Sequence, residues 1–131
     1  MAETPLRVAI VDDDASVRRA LARLLRTAGM HADTFESGEG FLEVSTGEGL
    51  DLLLVDVRLG GIDGGEFLQR LRAAGCQTPA IVITAHEDDT ICDTTRFPGA
   101  IAFLLKPLDD QILLSTIRNA KRNPPQSAGS R

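Results

Sequence analysis

Arg7-Val8-Ala9-Ile10-Val11 runs directly into Asp12-Asp13, and the same construction returns three times along the chain. Leu52-Leu53-Leu54-Val55 ends in Asp56, Ala80-Ile81-Val82-Ile83 ends in Thr84, and Ile101-Ala102-Phe103-Leu104-Leu105 ends in Lys106-Pro107. Runs this short and this rich in Val, Ile and Leu, with helix-like stretches between them, read as buried parallel strands. In open parallel sheets, chemistry gathers beyond the carboxyl ends of the strands. Three carboxylates, a hydroxyl and an ammonium are therefore expected at one edge of the molecule, although they lie far apart in the chain.

Outward from these strands, a strand–helix alternation repeats five times. Val17, Ala20, Leu21, Leu24, Leu25 and Ala28 fall at helical spacing and predict an apolar stripe that Gly29 terminates. His31 to Phe35 reads as a short second strand near a sheet edge. Ser37 is a plausible N-cap for a weak helix from Gly38 to Val44. Arg58 to Gly65 reads as a flexible, glycine-rich loop. Phe67, Leu68, Leu71 and Ala74 then mark a third helix that stops at Gly75. The fourth helix is the poorest in signal. Asp88 to Thr95 is rich in β-branched and capping residues, and Pro98-Gly99 closes it off. The fifth strand spans Ala100 to Leu104. The fifth helix starts near Asp109, with Ile112, Leu113, Ile117 and Ala120 on one face.

Five such units imply an α/β fold, a doubly wound five-stranded parallel sheet with helices on both faces. Right-handed crossovers leave few topologies, of which 2-1-3-4-5 is the common small one. That order sets strands 1, 3, 4 and 5 side by side, and these four carry the polar ends. The 131 residues, 43% apolar and 25% charged, suit one soluble domain over residues 1–122. Residues 123–131 read as a flexible tail or the start of a linker.

A net charge of −5 argues against direct nucleic-acid binding by this segment. Arg18, Arg19, Arg23 and Arg26 share one helix and read as a solvated face. Cys76 and Cys92 lack metal-ligand spacing and read as free thiols. No signal peptide or membrane-spanning run is visible, so a cytoplasmic location without membrane contact is expected.

Asp12, Asp13 and Asp56 would repel one another, and burial would raise their pKa values unless a cation intervened. A hard divalent ion serves. Magnesium needs few carboxylates and shares sites with phosphate oxygens, whereas zinc would want His or Cys. Asp14 reads as a helix cap. Lys106, after an apolar run, needs an anionic partner. A structural ion pair with Asp56 and a phosphoryl-binding role are compatible. Thr84 reads either as a satisfied core-edge hydroxyl or as a phosphoryl ligand.

Asp12-Asp13, Asp56, Thr84 and Lys106-Pro107, each after its own strand, resemble the signature of two-component response-regulator receiver domains, the CheY-like, flavodoxin-like fold. The resemblance covers Arg7 to about Lys121. The wording Val11-Asp12-Asp13-Asp14-Ala15-Ser16-Val17-Arg18 and Asp56-Val57-Arg58-Leu59 is similar to the FixJ branch, whose members often carry a DNA-binding domain after the receiver. The resemblance implies that Asp56 accepts a phosphoryl group from a sensor histidine kinase. It implies that Asp13 and Asp56 bind Mg2+ directly, with Asp12 acting through water and the Arg58 backbone carbonyl as a further ligand. It assigns Thr84 and Lys106 to the phosphoryl oxygens and makes the Lys106–Pro107 bond cis. Thr84 and Phe103 would be the switch. The face formed by the fourth helix, fifth strand and fifth helix would change partner, with possible homodimerisation and control of transcription as output. Such a chain is a phosphoacceptor that promotes its own phosphorylation and dephosphorylation, not a turnover enzyme.

Three departures stand out. Gly60-Gly61 occupies the place of a usual proline and implies a looser loop. Thr90, Asp93, Thr94, Thr95 and Pro98 replace the usual Ala- and Met-rich fourth helix. Arg58 and His86 lie where the family tunes dephosphorylation. The alternatives are a Mg-dependent phosphohydrolase with an Asp nucleophile, a stand-alone receiver acting by protein binding, a module that has lost phosphorylation, and a flavin-binding module. Asp56-Val57-Arg58 lacks the second acid of the phosphohydrolase motif, and no cap segment exists. The complete signature speaks against lost phosphorylation, and the absence of Trp and Tyr against flavin.

Overall fold

The computed structural model describes residues 5–86 and 93–122. Strands β1 (Arg7–Val11), β2 (His31–Phe35), β3 (Leu52–Asp56), β4 (Ala80–Thr84) and β5 (Ala100–Leu105) form one parallel sheet in the order β2-β1-β3-β4-β5. Helices α1 (Ala15–Thr27), α2 (Gly38–Val44), α3 (Gly64–Ala73) and α4 (Asp110–Arg122) cover it. Helix α4 is the one the sequence places fifth.

Strand side chains alternate between the two faces, so each face builds its own core. Ala9, Val11, Leu53, Val55 and Val82 meet Phe41 of α2 and Phe67, Leu68 and Leu71 of α3. Val8, Ile10, Leu52, Leu54, Ile81 and Ile83 meet Leu21 and Leu25 of α1 and Leu113 and Ile117 of α4. Strands β3 and β4 are buried along their whole length. Each fully buried Leu, Ile or Phe contributes about 1.5–3 kcal/mol. Together these side chains hold the strand ends in fixed positions.

The helix starts are set by side chains that satisfy otherwise unpaired amides. The Asp14 carboxylate accepts from the amides of Ser16 and Val17, Ser37 Oγ accepts from Gly40, and Asp63 accepts from Glu66. The Asp109 carboxylate accepts from Ile112 at 3.0 Å and opens α4. Gly29 and Gly75 take positive φ values of 90° and 98° just past α1 and α3, where any side chain would be strained.

Several sequence expectations need correction. In α1 the buried stripe includes Ala22, whereas Ala20 is exposed: 100° per residue sets Ala22 beside Leu25 on the inward face and leaves Ala20 at its edge. Ile112 is not on the inward face of α4: it is 55% exposed, and Leu113 and Ile117 point in. The loop after β3 is shorter than expected, since Gly64 and Gly65 already belong to α3. A Cβ on Gly64 would sit 2.5 Å from the Asp56 carbonyl oxygen, so only glycine lets α3 start that close to the end of β3. The arginine face of α1 is not purely solvated. Arg18 donates to the Asp12 carbonyl at 2.8 Å, and Arg26 to the Ala32 carbonyl at 2.6 Å.

Of the expected fourth helix, Asp88–Cys92 lies outside the described residues, and Thr94–Arg96 forms a turn. Cys92 and the 123–131 tail also lie outside. Cys76 is a buried free thiol whose S–H donates to Thr78 Oγ1 at 3.3 Å. Among the described residues, no helix is long and apolar enough to cross a membrane.

Candidate functional site

The register brings the polar strand ends to one rim. Val11 pairs with Val55, Asp56 with Ile83, and Thr84 with Leu105. Asp12 and Asp13 follow β1, Asp56 is the last residue of β3, Thr84 the last of β4, and Lys106 follows β5. Asp12, Asp13 and Asp56 each offer one carboxylate oxygen, and these lie within 4.8 Å of one another. Lys106 Nζ donates to Asp56 Oδ2 at 2.9 Å and to Asp12 Oδ2 at 3.3 Å.

Backbone groups fix the remaining acceptors. Asp56 Oδ1 accepts from the Arg58 amide at 3.1 Å, and Asp12 Oδ1 from the Asp14 amide at 2.9 Å. Thr84 Oγ1 accepts from the His86 amide at 3.1 Å, and the Thr84 carbonyl accepts from the Lys106 amide at 2.7 Å. The Lys106–Pro107 peptide bond is cis. Asp12, Asp56 and Thr84 are buried, whereas Asp13 is exposed. The pocket is thus closed below by the sheet and open toward solvent on the Asp13 side.

Phe103 stands apart from this group. Its ring packs edge-on against Phe97, with centroids 5.6 Å apart, on the face that carries α2 and α3.

Three carboxylates against one ammonium leave a formal charge of about −2 in a half-enclosed pocket. Burial pushes the Asp12 carboxyl above its ordinary value, aided by the Asp56 charge and opposed by the Asp14 amide and Lys106. Burial alone would lower Lys106, but its hydrogen bond to Asp56 and the charges of Asp12 and Asp56 outweigh this and raise it. A small divalent cation facing the three oxygens would relieve both effects. The donors are hard oxygens without His or Cys, which suits Mg2+.

A pH dependence follows for the metal-free protein. Between the ordinary Asp12 value of 3.8 and its raised native value, the folded state holds more protons than the unfolded state. Asp12 therefore makes stability fall as pH rises through that window. Asp12→Asn should remove this slope, stabilise the metal-free protein at pH 7, and weaken Mg2+ binding. Urea unfolding from pH 3.5 to 7.5, with and without Mg2+, measures all three. An unchanged slope would show that Asp12 is not under this strain.

One contributor escaped the sequence reading. Glu39, in the first turn of α2, accepts from the Ile62 amide at 3.0 Å and so touches the loop beside the pocket. No sequence signal links residues 23 positions apart in this way.

Comparison with known proteins agrees with this arrangement. Residues 8–118 match the response regulator receiver domain family. The transcriptional regulatory protein FixJ of Bradyrhizobium diazoefficiens is 34% identical over 121 residues, which are 92% of this chain and 59% of that protein. The DNA-binding transcriptional regulator NtrC of Klebsiella pneumoniae is 40% identical over 100 residues, 76% of this chain and 21% of that protein. The crystal structure of full-length FixJ from B. japonicum superposes with a TM-score of 0.81 at 33% identity, covering 92% of this chain and 59% of that one. The chain thus spans little more than half of FixJ and about a fifth of NtrC.

Proposed function

Because this chain belongs to the response regulator receiver domain family of two-component systems, we propose that Asp56 is its phosphoacceptor and that the pocket around it drives transfer. One observation carries this reading: Asp56 shares a single rim with Asp12, Asp13 and Lys106, with Lys106 Nζ 2.9 Å from its carboxylate.

The donor is a phosphohistidine on a sensor histidine kinase. An Asp56 carboxylate oxygen attacks phosphorus, the P–N bond breaks, and its electron pair leaves on the imidazole. Asp13, Asp56 and the Arg58 carbonyl would hold Mg2+, with Asp12 acting through water, and the ion would supply positive charge that stabilises the transferring phosphoryl group. Lys106 exchanges part of its pairing with Asp56 for the incoming oxygens. Its ammonium is already in place, so little reorganisation accompanies transfer. The Thr84 hydroxyl contributes a further hydrogen bond. Water then attacks phosphorus, the bond to the Asp56 oxygen breaks, inorganic phosphate leaves and Lys106 returns to the carboxylate; the chain promotes its own phosphorylation and dephosphorylation without being a turnover enzyme.

The new charge and acceptor oxygens at Asp56 then act as a switch. Thr84 moves toward them, and Phe103 turns into the space released. The surface formed by β5, α4 and the segment before β5 changes its partner, homodimerisation included. Leu105 and Ile112, at 39% and 55% exposure, give that surface an apolar character. We take the receiver to be residues 1–122, with residues 123–131 as a tail or the start of a linker. The relatives named above are transcription regulators, which supports transcriptional output from a cytoplasmic protein.

Beryllofluoride with Mg2+, a stable mimic of the phosphoryl group, should shift the amide resonances of Thr84, His86, Phe103 and Lys106 together. A spectrum that changes at Asp56 and Lys106 but not at Phe103 would remove the switch from this account.

A further inference from the structure

Glu39 is half-buried and belongs to a different element from any pocket residue, yet its carboxylate is spent on the loop that follows Asp56. Oε2 accepts from the Ile62 amide at 3.0 Å. The same carboxylate fills the space that a side chain on Gly61 would need: a Cβ there would lie 2.9 Å from both Glu39 Cδ and Oε1, so the close approach requires glycine, which also takes a φ of +85°. Oε1 is buried there without a hydrogen-bond partner, so the carboxylate is held against the loop, not turned to solvent.

The loop is anchored at both ends. The Arg58 amide donates to Asp56 Oδ1 at 3.1 Å, and the Gly64 amide donates to the Val57 carbonyl at 2.9 Å. Between these anchors stand Gly60 and Gly61, the residue type that loses most conformational freedom on ordering. Gly60 borders the acid cluster, since a Cβ there would lie 4.0 Å from Asp13 Oδ2. Ile62 also packs on α2, because a Cβ on Gly38 would meet its Cδ1 at 3.1 Å. The N-terminus of α2 thus grips the middle of a loop that would otherwise sample many conformations.

We infer that Glu39 is a positioning residue for the phosphoacceptor pocket, acting as the hydrogen-bond acceptor that orders the Arg58–Ile62 loop beside Asp13 and Asp56. This rests on the receiver reading above and deepens it. A loop ordered in advance presents the Arg58 carbonyl to the ion without an ordering cost at binding. Without Glu39, Gly60-Gly61 would be ordered only when the ion arrives.

The test follows backbone amides by NMR in the full chain while Mg2+ is titrated, with amide hydrogen exchange measured in its absence. In Glu39→Ala the Ile62 amide should exchange faster, and the Mg2+ Kd should weaken about tenfold. Glu39→Gln keeps an acceptor oxygen for Ile62 but no charge, and it should stay within about twofold of wild type. A tenfold loss in both variants would mean that the Glu39 charge acts on the ion through space, and would overturn the inference. Unchanged Mg2+ affinity in Glu39→Ala, with faster Ile62 exchange, would overturn it too. Wild type that shows no Mg2+-dependent shift around Asp13 and Asp56 would instead defeat the receiver reading itself, and this inference with it.

Discussion

Asp56→Asn will take up no phosphate from acetyl phosphate and Mg2+ under conditions that add one phosphoryl mass to the wild-type chain. The three pocket acids differ in how free they are to attack. Asp12 has one oxygen on the Asp14 amide and the other 3.3 Å from Lys106, and burial already resists its charge. Asp13 is exposed at the rim. Asp56 ends the buried strand β3, and its Oδ2 lies 2.9 Å from the Lys106 ammonium that would receive the transferred oxygens. Asn at this position keeps the shape and the Arg58 hydrogen bond but has no anionic oxygen to attack phosphorus. Intact-mass spectrometry reads the loss directly, and it should be complete. Equal labelling of wild type and variant would move the phosphoacceptor elsewhere.

Lys106→Ala should slow phosphorylation by about 10²- to 10³-fold, the usual loss when one preorganised donor is removed from developing negative charge. The same change should act on the resting fold. Lys106 is the cation paired with both Asp12 and Asp56, which are 2% and 7% exposed in their side chains. Removing it leaves two close carboxylates without that partner. Because Lys106 itself is 22% exposed, the cost is discounted for solvent screening to about 1–3 kcal/mol at pH 7. Adding Mg2+ should recover much of that stability but little of the rate, since the ion neutralises the acids without replacing the ammonium. Stopped-flow phosphorylation and thermal melts with and without Mg2+ separate the two. Lost stability with an unchanged rate would make Lys106 a structural partner only.

Much of this was readable before any coordinates. The strands announced themselves because short runs of four or five residues rich in Val, Ile and Leu, bounded by polar ends, are typical of strands buried in a parallel sheet. Crossover handedness left few strand orders, and the common small one among them is the order observed, which sets Asp12, Asp56, Thr84 and Lys106 on neighbouring ends. Asp14 and Ser37 announced helix starts because a short polar acceptor before an apolar stripe has few other uses. Other features had no local signal. Ile112 and Leu113 are both apolar and adjacent, so the hydropathy pattern could not say that Ile112 faces outward. Gly64 reads as loop by composition, yet it is helical because α3 begins against the Asp56 carbonyl. The Gly60-Gly61 loop reads as loose, and the Glu39 carboxylate that holds it comes from another helix. In each case the outcome depends on packing between elements, and composition carries no record of it.

The central claim is that Asp12, Asp13, Asp56, Thr84 and Lys106 form one magnesium-dependent phosphoacceptor pocket. A crystal structure of this chain with Mg2+ and beryllofluoride tests it most directly. The account predicts beryllium bonded to an Asp56 carboxylate oxygen, the ion on Asp13, Asp56 and the Arg58 carbonyl, and fluorines on Lys106 Nζ and Thr84 Oγ1. Beryllium on Asp12 or Asp13, or Lys106 still paired with Asp56 and turned away from the fluorines, would contradict it.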